Sequence, residues 1–414
     1  MTDAASPVVE TRDGRTIVDL AHPDFSQDQH AFWAEARALG STFVAQPFGA
    51  TGFLDHADVS ALFNDDRLGS GQASTRALDA VGVTSEPFAE WTRHSIVTAN
   101  PPRHTRLRSL LNKAFTPRRA ERMRPAVRET CETLVAELAA RGECEFVEDF
   151  AQRVPVQVVA RMIGVPRSDY GTFAGWIAAI APAFGIAISR EAALRMAAAA
   201  DELQAFCNEL IEDKRKHPGD DLLTALIEAE QQGDRLSLPE LRAIIVALLF
   251  AGHDTTKSLL ASAMKLLVDH PDAFDAIARE PALAAGAVEE TLRFEPPIYM
   301  TLRKAFASFE HRGTAVDEGA IVLLAVAAAN RDPAVFADPH VFDIRRERPR
   351  ILSFGQGRHF CVGSNLARLE AEEAVRAVCA GLRAPRLTVP RARWIPLAGV
   401  RSFEALPLAF DAAG

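Results

Sequence analysis

A ten-residue stretch, Phe354-Gly-Gln-Gly-Arg-His-Phe-Cys-Val-Gly363, constrains this chain more than any other. It places one cysteine, Cys361, among three glycines, an arginine and a histidine. Gly355, Gly357 and Gly363 allow backbone conformations that are closed to other residues, and they let a bulky group approach closely. The stretch is therefore predicted to be a tight loop that lies against a large ligand.

The segment that follows this loop is predicted to be a helix. Residues 365–378 are rich in good helix formers, and their apolar residues recur near helical spacing. Cys361 then lies at a helix N-terminus, where free backbone amides and the helix dipole favour a thiolate, the form of cysteine that binds metals. The alternative for a single cysteine is a small buried hydrophobic residue.

The same ten residues match the pattern F-G-x-G-x-H-x-C-x-G in full and resemble the haem-binding loop of the cytochrome P450 family. The resemblance implies that Cys361 is the axial thiolate of haem b (iron protoporphyrin IX), with Phe354, Gly355 and Gly363 beside the cofactor. Thiolate ligation of haem iron favours cleavage of the O–O bond. The implied fold is mainly α with a smaller β-rich part, and the haem lies between a long central helix and the cysteine loop.

A long helix is predicted to begin near Ser237. Ser237 and Glu240 have the spacing of a capping box, and the helical pattern continues to Asp269, with Pro271 as the stop. At 1.5 Å per residue such a helix spans roughly 50 Å. It is long enough to cross the whole molecule.

The middle of this helix, Ala251-Gly-His-Asp-Thr-Thr256, is unusual for a helix centre. Glycine and paired threonines weaken a helix there, so a requirement other than helix propensity selected them. A kinked core helix is the alternative. The segment resembles the family's oxygen-activation motif, A-G-x-[DE]-T-[TS]. The resemblance assigns catalytic proton delivery to Asp254 and Thr255, and contact with the haem to Ala251 and Gly252.

Basic residues in three separate segments are candidates for holding the haem propionates. His104 and Arg108 lie four residues apart on a predicted helix and share one face. An exposed basic helix would give the same pattern. The helix resembles the family's C helix, and the resemblance adds Arg303 and His359 as further propionate partners. Arginine suits this task because its planar fork can hold a carboxylate through two hydrogen bonds.

Glu290 and Arg293 place opposite charges three residues apart on another predicted helix. On an exposed surface such a pair contributes little to stability. The segment resembles the family's K helix, in which the pair is buried and structural. The family completes that pair with an arginine, and this chain has Val341 at the corresponding place. Either Arg345 or His340 substitutes for it, or the pair stands by itself.

The substrate is expected to be a small to medium hydrophobic organic molecule. Six residues, most of them apolar, occupy positions that the resemblance assigns to the substrate pocket: Val97, Leu248, Ala251, Ile298, Tyr299 and Phe403. The apolar segment 176–188 falls where the family has a lid over the substrate entrance.

Composition indicates one large globular protein. Hydrophobic residues make up 48% of the 414 residues and no linker interrupts them, so one domain is predicted over 1–414, with 1–30 as a loosely ordered N-terminal arm. The five cysteines are scattered and the N-terminus lacks the pattern of a signal peptide, which predicts a cytoplasmic protein. The apolar runs are about half the length of a membrane span.

Charge limits the class of partner. The net charge of −9 argues against nucleic acid, because binding phosphates requires a basic surface. Two basic blocks, 101–120 and 345–358, contrast with this acidic background. They are expected to dock an acidic ferredoxin.

The resemblance implies a haem-thiolate monooxygenase that uses O2 and hydroxylates its substrate, or carries out a related oxidation. Electrons are expected from a separate ferredoxin and an NAD(P)H-dependent ferredoxin reductase, and the enzyme is expected to be a monomer. One alternative is a peroxide-driven peroxygenase, although such members generally lack the acid and the threonine that Asp254 and Thr255 supply. The other is a haem-binding sensor without turnover.

Overall fold

The computed structural model describes residues 7–70, 78, 81–180, 189–231, 234–347, 350–396 and 399–411. It is 57% helical with a smaller β part, as predicted. The α-helices are α1 Pro23–Gln27, α2 Gln29–Leu39, α3 His56–Phe63, α4 Glu86–His94, α5 Arg103–Ala114, α6 Pro117–Arg122, α7 Arg124–Arg141, α8 Arg153–Ile163, α9 Tyr170–Ile180, α10 Arg190–Lys216, α11 Leu222–Glu228, α12 Leu238–Asp269, α13 Pro271–Arg279, α14 Ala284–Phe294, α15 Val326–Ala329 and α16 Ser364–Gly381.

The strands are mostly short. They are β1 Val9–Arg12, β2 Arg15–Asp19, β3 Thr42–Gln46, β4 Ala50–Phe53, β5 Leu68–Gly69, β6 Glu143–Glu145, β7 Glu230–Gln231, β8 Asp234–Arg235, β9 Thr301–Ala305, β10 Phe309–His311, β11 Thr314–Val316, β12 Ile321–Leu324, β13 Arg383–Leu387 and β14 Pro407–Asp411. The largest sheet has the order β1-β2-β3-β4-β12-β9-β5, and β13-β14-β6 form a second sheet. In the large sheet β2–β3 and β4–β12 are parallel pairs.

Helix α12 is the long helix that the sequence predicts, with the predicted bounds. Ser237 is its N-cap, and the Ser237 N–H donates to a Glu240 carboxylate oxygen at 2.9 Å, as expected for a capping box. The helix packs against α4, α8, α14 and α16. By length and apolar composition it could also cross a membrane, but most of its apolar stretch is buried inside the protein. That burial is typical of the core helix of a soluble protein.

The prediction of a loosely ordered N-terminal arm is wrong for residues 7–30. Strands β1 and β2 pair in this segment and join the large sheet, with Ile17 opposite Val44 of β3. Val18 and Leu20 are 0% and 1% exposed. The polar residues of this segment mask a short alternation of apolar residues, and the strands that it forms are held by pairing with the rest of the sheet. Residues 1–6 lie outside the described residues.

Two other predicted segments have different outcomes. Residues 41–54, which the alternation of apolar residues and the following Asn64-Asp-Asp66 turn predict to be a short hairpin, contain the antiparallel pair β3–β4. Of the apolar segment 176–188, residues 176–180 form the end of α9, and 181–188 lie outside the described residues. The lid therefore stays a prediction, and so does the organisation of the chain as one domain.

Candidate haem site

The cysteine loop has the tight backbone that its glycines predict. Gly355 and Gly357 both have φ of +67°, a conformation that side chains disfavour. A Cβ atom on Gly357 would also lie 2.8 Å from Asn64 Oδ1. The N–H of Cys361 donates to the carbonyl oxygen of Phe354 at 3.0 Å, which closes the loop.

The sulfur of Cys361 lies at the N-terminus of α16, as predicted. Burial raises the pKa of the Cys361 thiol, while the N–H groups of Gly363 and Ser364 and the charges of Arg108 and Arg368 oppose that rise. Burial is the larger effect. The protein's own groups therefore do not by themselves stabilise the Cys361 thiolate, and a metal ion bound to the sulfur would supply the further positive charge.

The other four cysteines are the small buried hydrophobic residues that a single cysteine often is. Burial raises the pKa of Cys144, Cys207 and Cys379 to about 12, and all four of these side chains, Cys131 included, are 9% exposed or less. Cys361 is more exposed than any of them. Among the five, only its surroundings suit a metal-binding thiolate.

Basic side chains gather beside the cysteine loop. The rings of His104 and His359 have centroids 4.2 Å apart. Burial, followed by the nearby charges of His104, Arg303, Arg358 and Arg108, lowers the pKa of His359 to about 3. The His359 Nε2 atom is buried and has no hydrogen-bond partner among the described residues.

Arg108 and Arg303 also lack carboxylate partners among the described residues, whereas Arg358 pairs with Asp66. Arg108 donates to the carbonyl oxygen of Phe360 at 2.7 Å and to Asn112 Oδ1 at 3.0 Å. Arg303 donates only to the Thr301 hydroxyl and a neighbouring carbonyl, and burial lowers its pKa. Both arginines are partly buried, and cations withdrawn from water are ordinarily paired with anions. This cluster therefore suits a ligand that brings its own carboxylates, as haem does.

Helix α12 has an open strip at its centre, although most of the residues around that strip are buried. Ala251 is exposed, and Gly252 and Thr255 are partly exposed. The Thr255 hydroxyl donates to the carbonyl oxygen of Ala251 at 2.5 Å, in the turn before it. Because core helices surround α12, this strip faces an internal space that a ligand can fill. A Cβ atom on Gly252 would lie 3.0 Å from Val159 Cγ2, so that glycine also permits close packing on α8.

Asp254 does not point into this open strip. It is 8% exposed, and its Oδ1 atom accepts hydrogen bonds from His253 Nδ1 at 3.1 Å and from Lys257 Nζ at 2.8 Å. Burial by itself would raise the pKa of Asp254, but the His253 hydrogen bond and the Lys257 charge bring it down to about 2. Asp254 is therefore ionised and held at neutral pH.

Glu290 and Arg293 form the buried pair that the sequence suggests, with two hydrogen bonds of 2.7 and 2.8 Å. The third member is Arg346, which neither alternative for the missing arginine anticipated; its Nε lies 3.2 Å from Glu290 Oε1. Arg345 instead pairs with Glu280 at the surface. The carbonyl oxygen of Val341 accepts from Arg293 and from Arg346 at 3.0 Å. That position therefore contributes its backbone to the network, while its side chain is exposed.

The predicted pocket residues fall into two groups. Val97 and Ala251 are exposed, and Leu248 and Ile298 are partly exposed. Phe403 is 4% exposed and stacks on Trp394, with ring centroids 3.7 Å apart. Tyr299 is 7% exposed and packs in a cluster with buried residues of the large sheet, so its predicted pocket role is not supported.

Comparison with known proteins identifies the family. The cytochrome P450 family model matches residues 177–378. Cytochrome P450 107B1 of Saccharopolyspora erythraea is 35% identical over 401 residues, covering 94% of this chain and 97% of the relative. The 6-deoxyerythronolide B hydroxylase of the same organism is 37% identical over 375 residues, covering 88% and 91%.

Solved structures agree with this assignment. Cytochrome P450 CYP109Q5 from Chondromyces apiculatus superposes with a TM-score of 0.87 and is 30% identical, covering 96% of this chain and 99% of that one. CalO2 superposes with a TM-score of 0.90 at 28% identity, covering 96% and 100%. Members of the family bind haem. With a cysteine loop, a basic cluster and an open central helix that fit this cofactor, the chain belongs to the cytochrome P450 family and is a haem-thiolate monooxygenase of the soluble bacterial type.

Proposed function

We propose that the haem is held by Cys361 as axial ligand and by His104, Arg108, Arg303 and His359 at its propionates. The observation that carries this proposal is the cluster of basic groups beside Cys361, buried at His104 and partly buried at Arg108, Arg303 and His359, which lacks carboxylate partners among the described residues. Two propionates supply the missing negative charge. The bound haem supplies activation of O2, and thiolate ligation favours O–O cleavage.

The reaction inserts one oxygen atom of O2 into a C–H bond of the substrate and reduces the other to water, with two electrons and two protons from outside. We assign delivery of those protons to Asp254 and Thr255. The Thr255 hydroxyl lies on the open strip of α12, and the ionised Asp254 adjoins it in sequence. A positioned acid or base of this kind contributes typically 10²- to 10⁴-fold to a rate.

The substrate is assigned to a class of small to medium hydrophobic molecules. The open residues Leu248, Ala251 and Ile298 are apolar, and such linings bind apolar ligands. The names of the relatives include hydroxylases of 6-deoxyerythronolide B, vitamin D3 and mycinamicin IV.

The test is a substrate screen on the haem-loaded protein. Compounds of graded size are added to the ferric enzyme, and the shift of its spin state is measured by absorption. Compounds that shift it are then given with NADPH, a generic ferredoxin and its reductase under 18O2. One 18O atom per product molecule supports the assignment. Binding without turnover would instead indicate a sensor, and product formed only with added hydrogen peroxide would indicate a peroxygenase.

We assign electron delivery to an acidic ferredoxin reduced by an NAD(P)H-dependent reductase, and we take the enzyme to be a cytoplasmic monomer. Ion pairs reduce the free positive charge of the two basic blocks that we assign to docking. Arg106 pairs with Asp234 and Glu240, and Arg358 pairs with Asp66, so these arginines contribute less to the surface charge than the sequence suggests. Arg103, Lys113 and Arg118 of the first block are exposed.

Charge reversal tests this docking surface. Arg118→Glu should slow the reduction of the haem by ferredoxin, because charge pairs at the rim of an interface act mainly on the association rate. The reduction rate of this variant should also depend less on salt concentration. Arg383→Glu reverses an exposed charge on the separate sheet of β13 and is the matched control. A reduction rate that responds neither to salt nor to Arg118→Glu would remove this block from the interface.

A further inference from the structure

His253 is a buried polar residue that the assigned chemistry does not use. It lies in the middle of α12, is 3% exposed, and has a hydrogen bond from its ring to Asp254 at 3.1 Å. Its other ring nitrogen, Nε2, is buried and has no hydrogen-bond partner among the described residues. An unpartnered buried polar atom typically costs about 1–3 kcal/mol, so packing alone would favour an apolar residue here. The imidazole therefore has a use other than core stability.

The bond to Asp254 defines that use. An ionised carboxylate can only accept a hydrogen bond, so the proton of the shared bond is on His253 Nδ1. Lys257 Nζ donates to the same carboxylate oxygen, Oδ1, at 2.8 Å. Among the described residues no donor reaches Oδ2, so the carboxylate is fixed through one oxygen only. The second oxygen remains able to take up and release a proton.

We propose that His253 is a positioning residue for the oxidation. Its Nδ1–H, together with Lys257, holds the Asp254 carboxylate by Oδ1 and keeps Oδ2 as the oxygen that exchanges the proton. The lysine by itself is a weaker constraint, because an ammonium group on a four-carbon chain can reach a carboxylate in many geometries. The histidine ring adjoins Asp254 and has two side-chain torsions, so it restricts the carboxylate more closely. This inference rests on the proposed proton delivery by Asp254.

Three substitutions separate the ring's two nitrogens. In His253→Asn the amide N–H lies close to the position of Nδ1, and in His253→Gln it lies close to that of Nε2. His253→Leu keeps a side chain of similar size but has no N–H donor. The first measurement is product formed per NADPH consumed, with peroxide as the competing product. We expect product per NADPH to fall at least about threefold in His253→Leu and His253→Gln, toward the value measured for Asp254→Asn. His253→Asn should keep the parent value.

The second measurement does not depend on turnover. In a crystal structure of haem-loaded His253→Leu, the Asp254 carboxylate should be rotated. In haem-loaded His253→Asn, it should keep its parent position. The proposal is overturned if His253→Leu or His253→Gln keeps the parent amount of product per NADPH. It is also overturned if His253→Asn loses as much product per NADPH as His253→Leu does. If Asp254→Asn itself retains the parent ratio, the proposed role of Asp254 fails, whatever the histidine variants do.

Discussion

At the scale of single residues, the surroundings of each side chain separate the functional groups from chemically identical neighbours. Cys361 is one of five cysteines, and Thr255 is one of two adjacent threonines on α12. Cys361 is the cysteine with basic groups and free amides around it. Thr255 is partly exposed on the open strip, whereas Thr256 is 2% exposed. Each therefore has a matched control in the same chain.

Replacement of the axial ligand is the first residue-scale prediction. Cys361→His should abolish the red-shifted Soret band of the ferrous–CO complex, because that shift comes from thiolate ligation. Cys379→Ala removes a buried cysteine of α16 and should retain the band. Absorption spectra of the reduced, CO-treated proteins measure both. A band that persists in Cys361→His contradicts the assignment of the haem ligand.

Removal of the threonine hydroxyl is the second residue-scale prediction. Thr255→Ala should still bind haem, but the product formed per NADPH should fall by about tenfold or more as electrons go to peroxide. Thr256→Val, which removes the neighbouring buried hydroxyl, should change the ratio much less. Peroxide and product are assayed in the same reactions. If both variants keep the parent ratio, Thr255 has no part in proton delivery.

At the scale of elements, the network of Glu290, Arg293 and Arg346 joins α14 to the segment before the cysteine loop. Glu290 also accepts a hydrogen bond from the N–H of Asp343 at 3.0 Å. Arg293 is 0% exposed and donates to the carbonyl oxygens of Asn330 and Pro339. The arginines therefore satisfy backbone groups of a segment that has little regular structure.

This network predicts a sharp difference between two adjacent arginines. Arg346→Leu should lower the free energy of unfolding by about 3 kcal/mol, because it removes one partner of a buried ion pair. Arg345→Leu should cost less than about 1 kcal/mol, because Arg345 pairs with Glu280 at the surface. Urea unfolding of the haem-loaded variants measures both. Equal costs would mean that Arg346 is not part of the network.

At the scale of the whole molecule, a buried charge cluster joins the N-terminal segment to the C-terminal one. Glu295, just after α14, contacts His30 of α2 at 3.0 Å and Arg401 at 2.7 Å. Arg401 also donates to the carbonyl oxygen of Ser26 at 2.9 Å. The cluster ties residues 26–30 to partners more than 250 residues away, while β1 and β2 before them are held by pairing in the large sheet.

This cluster predicts a pH dependence of stability. Burial, with the charges of Arg331 and Arg401, lowers the pKa of His30 from 6.5 to about 4, against the opposing effect of Glu295. Between these two values the unfolded chain binds a proton that the folded protein does not, so stability falls as pH falls from 6.5 to 4. The shift corresponds to at most about 3 kcal/mol. His30→Gln should flatten this part of the curve.

The control for that measurement is His217→Gln, which replaces an exposed histidine at the end of α10. It should leave the pH dependence unchanged. Unfolding midpoints in urea between pH 7 and pH 4 are the measurement. If the unfolding midpoint of His30→Gln depends on pH as steeply as that of the parent protein, the acid sensitivity arises from groups other than His30.

The sequence by itself determined the features that rest on local signals. The bounds of α12 follow from a capping box and a proline, the loop before α16 follows from its glycines, and the cofactor follows from the complete match around Cys361. The burial of Glu290 with Arg293 could also be predicted, because their spacing and the residues after them resemble one family. In each case residues close in sequence carry the whole signal.

The tertiary structure alone decided the features that depend on distant contacts. The choice of Arg346 over Arg345 depends on which side chain turns inward on an irregular segment. Order in residues 7–30 depends on pairing with β3 and on contacts with Glu295 and Arg401. Asp254 is held by His253 and Lys257 because helix packing buries that face of α12 and leaves Thr255 on the open one. Burial and long-range pairing are properties of the packed chain, and neither the spacing nor the composition of the sequence contains them.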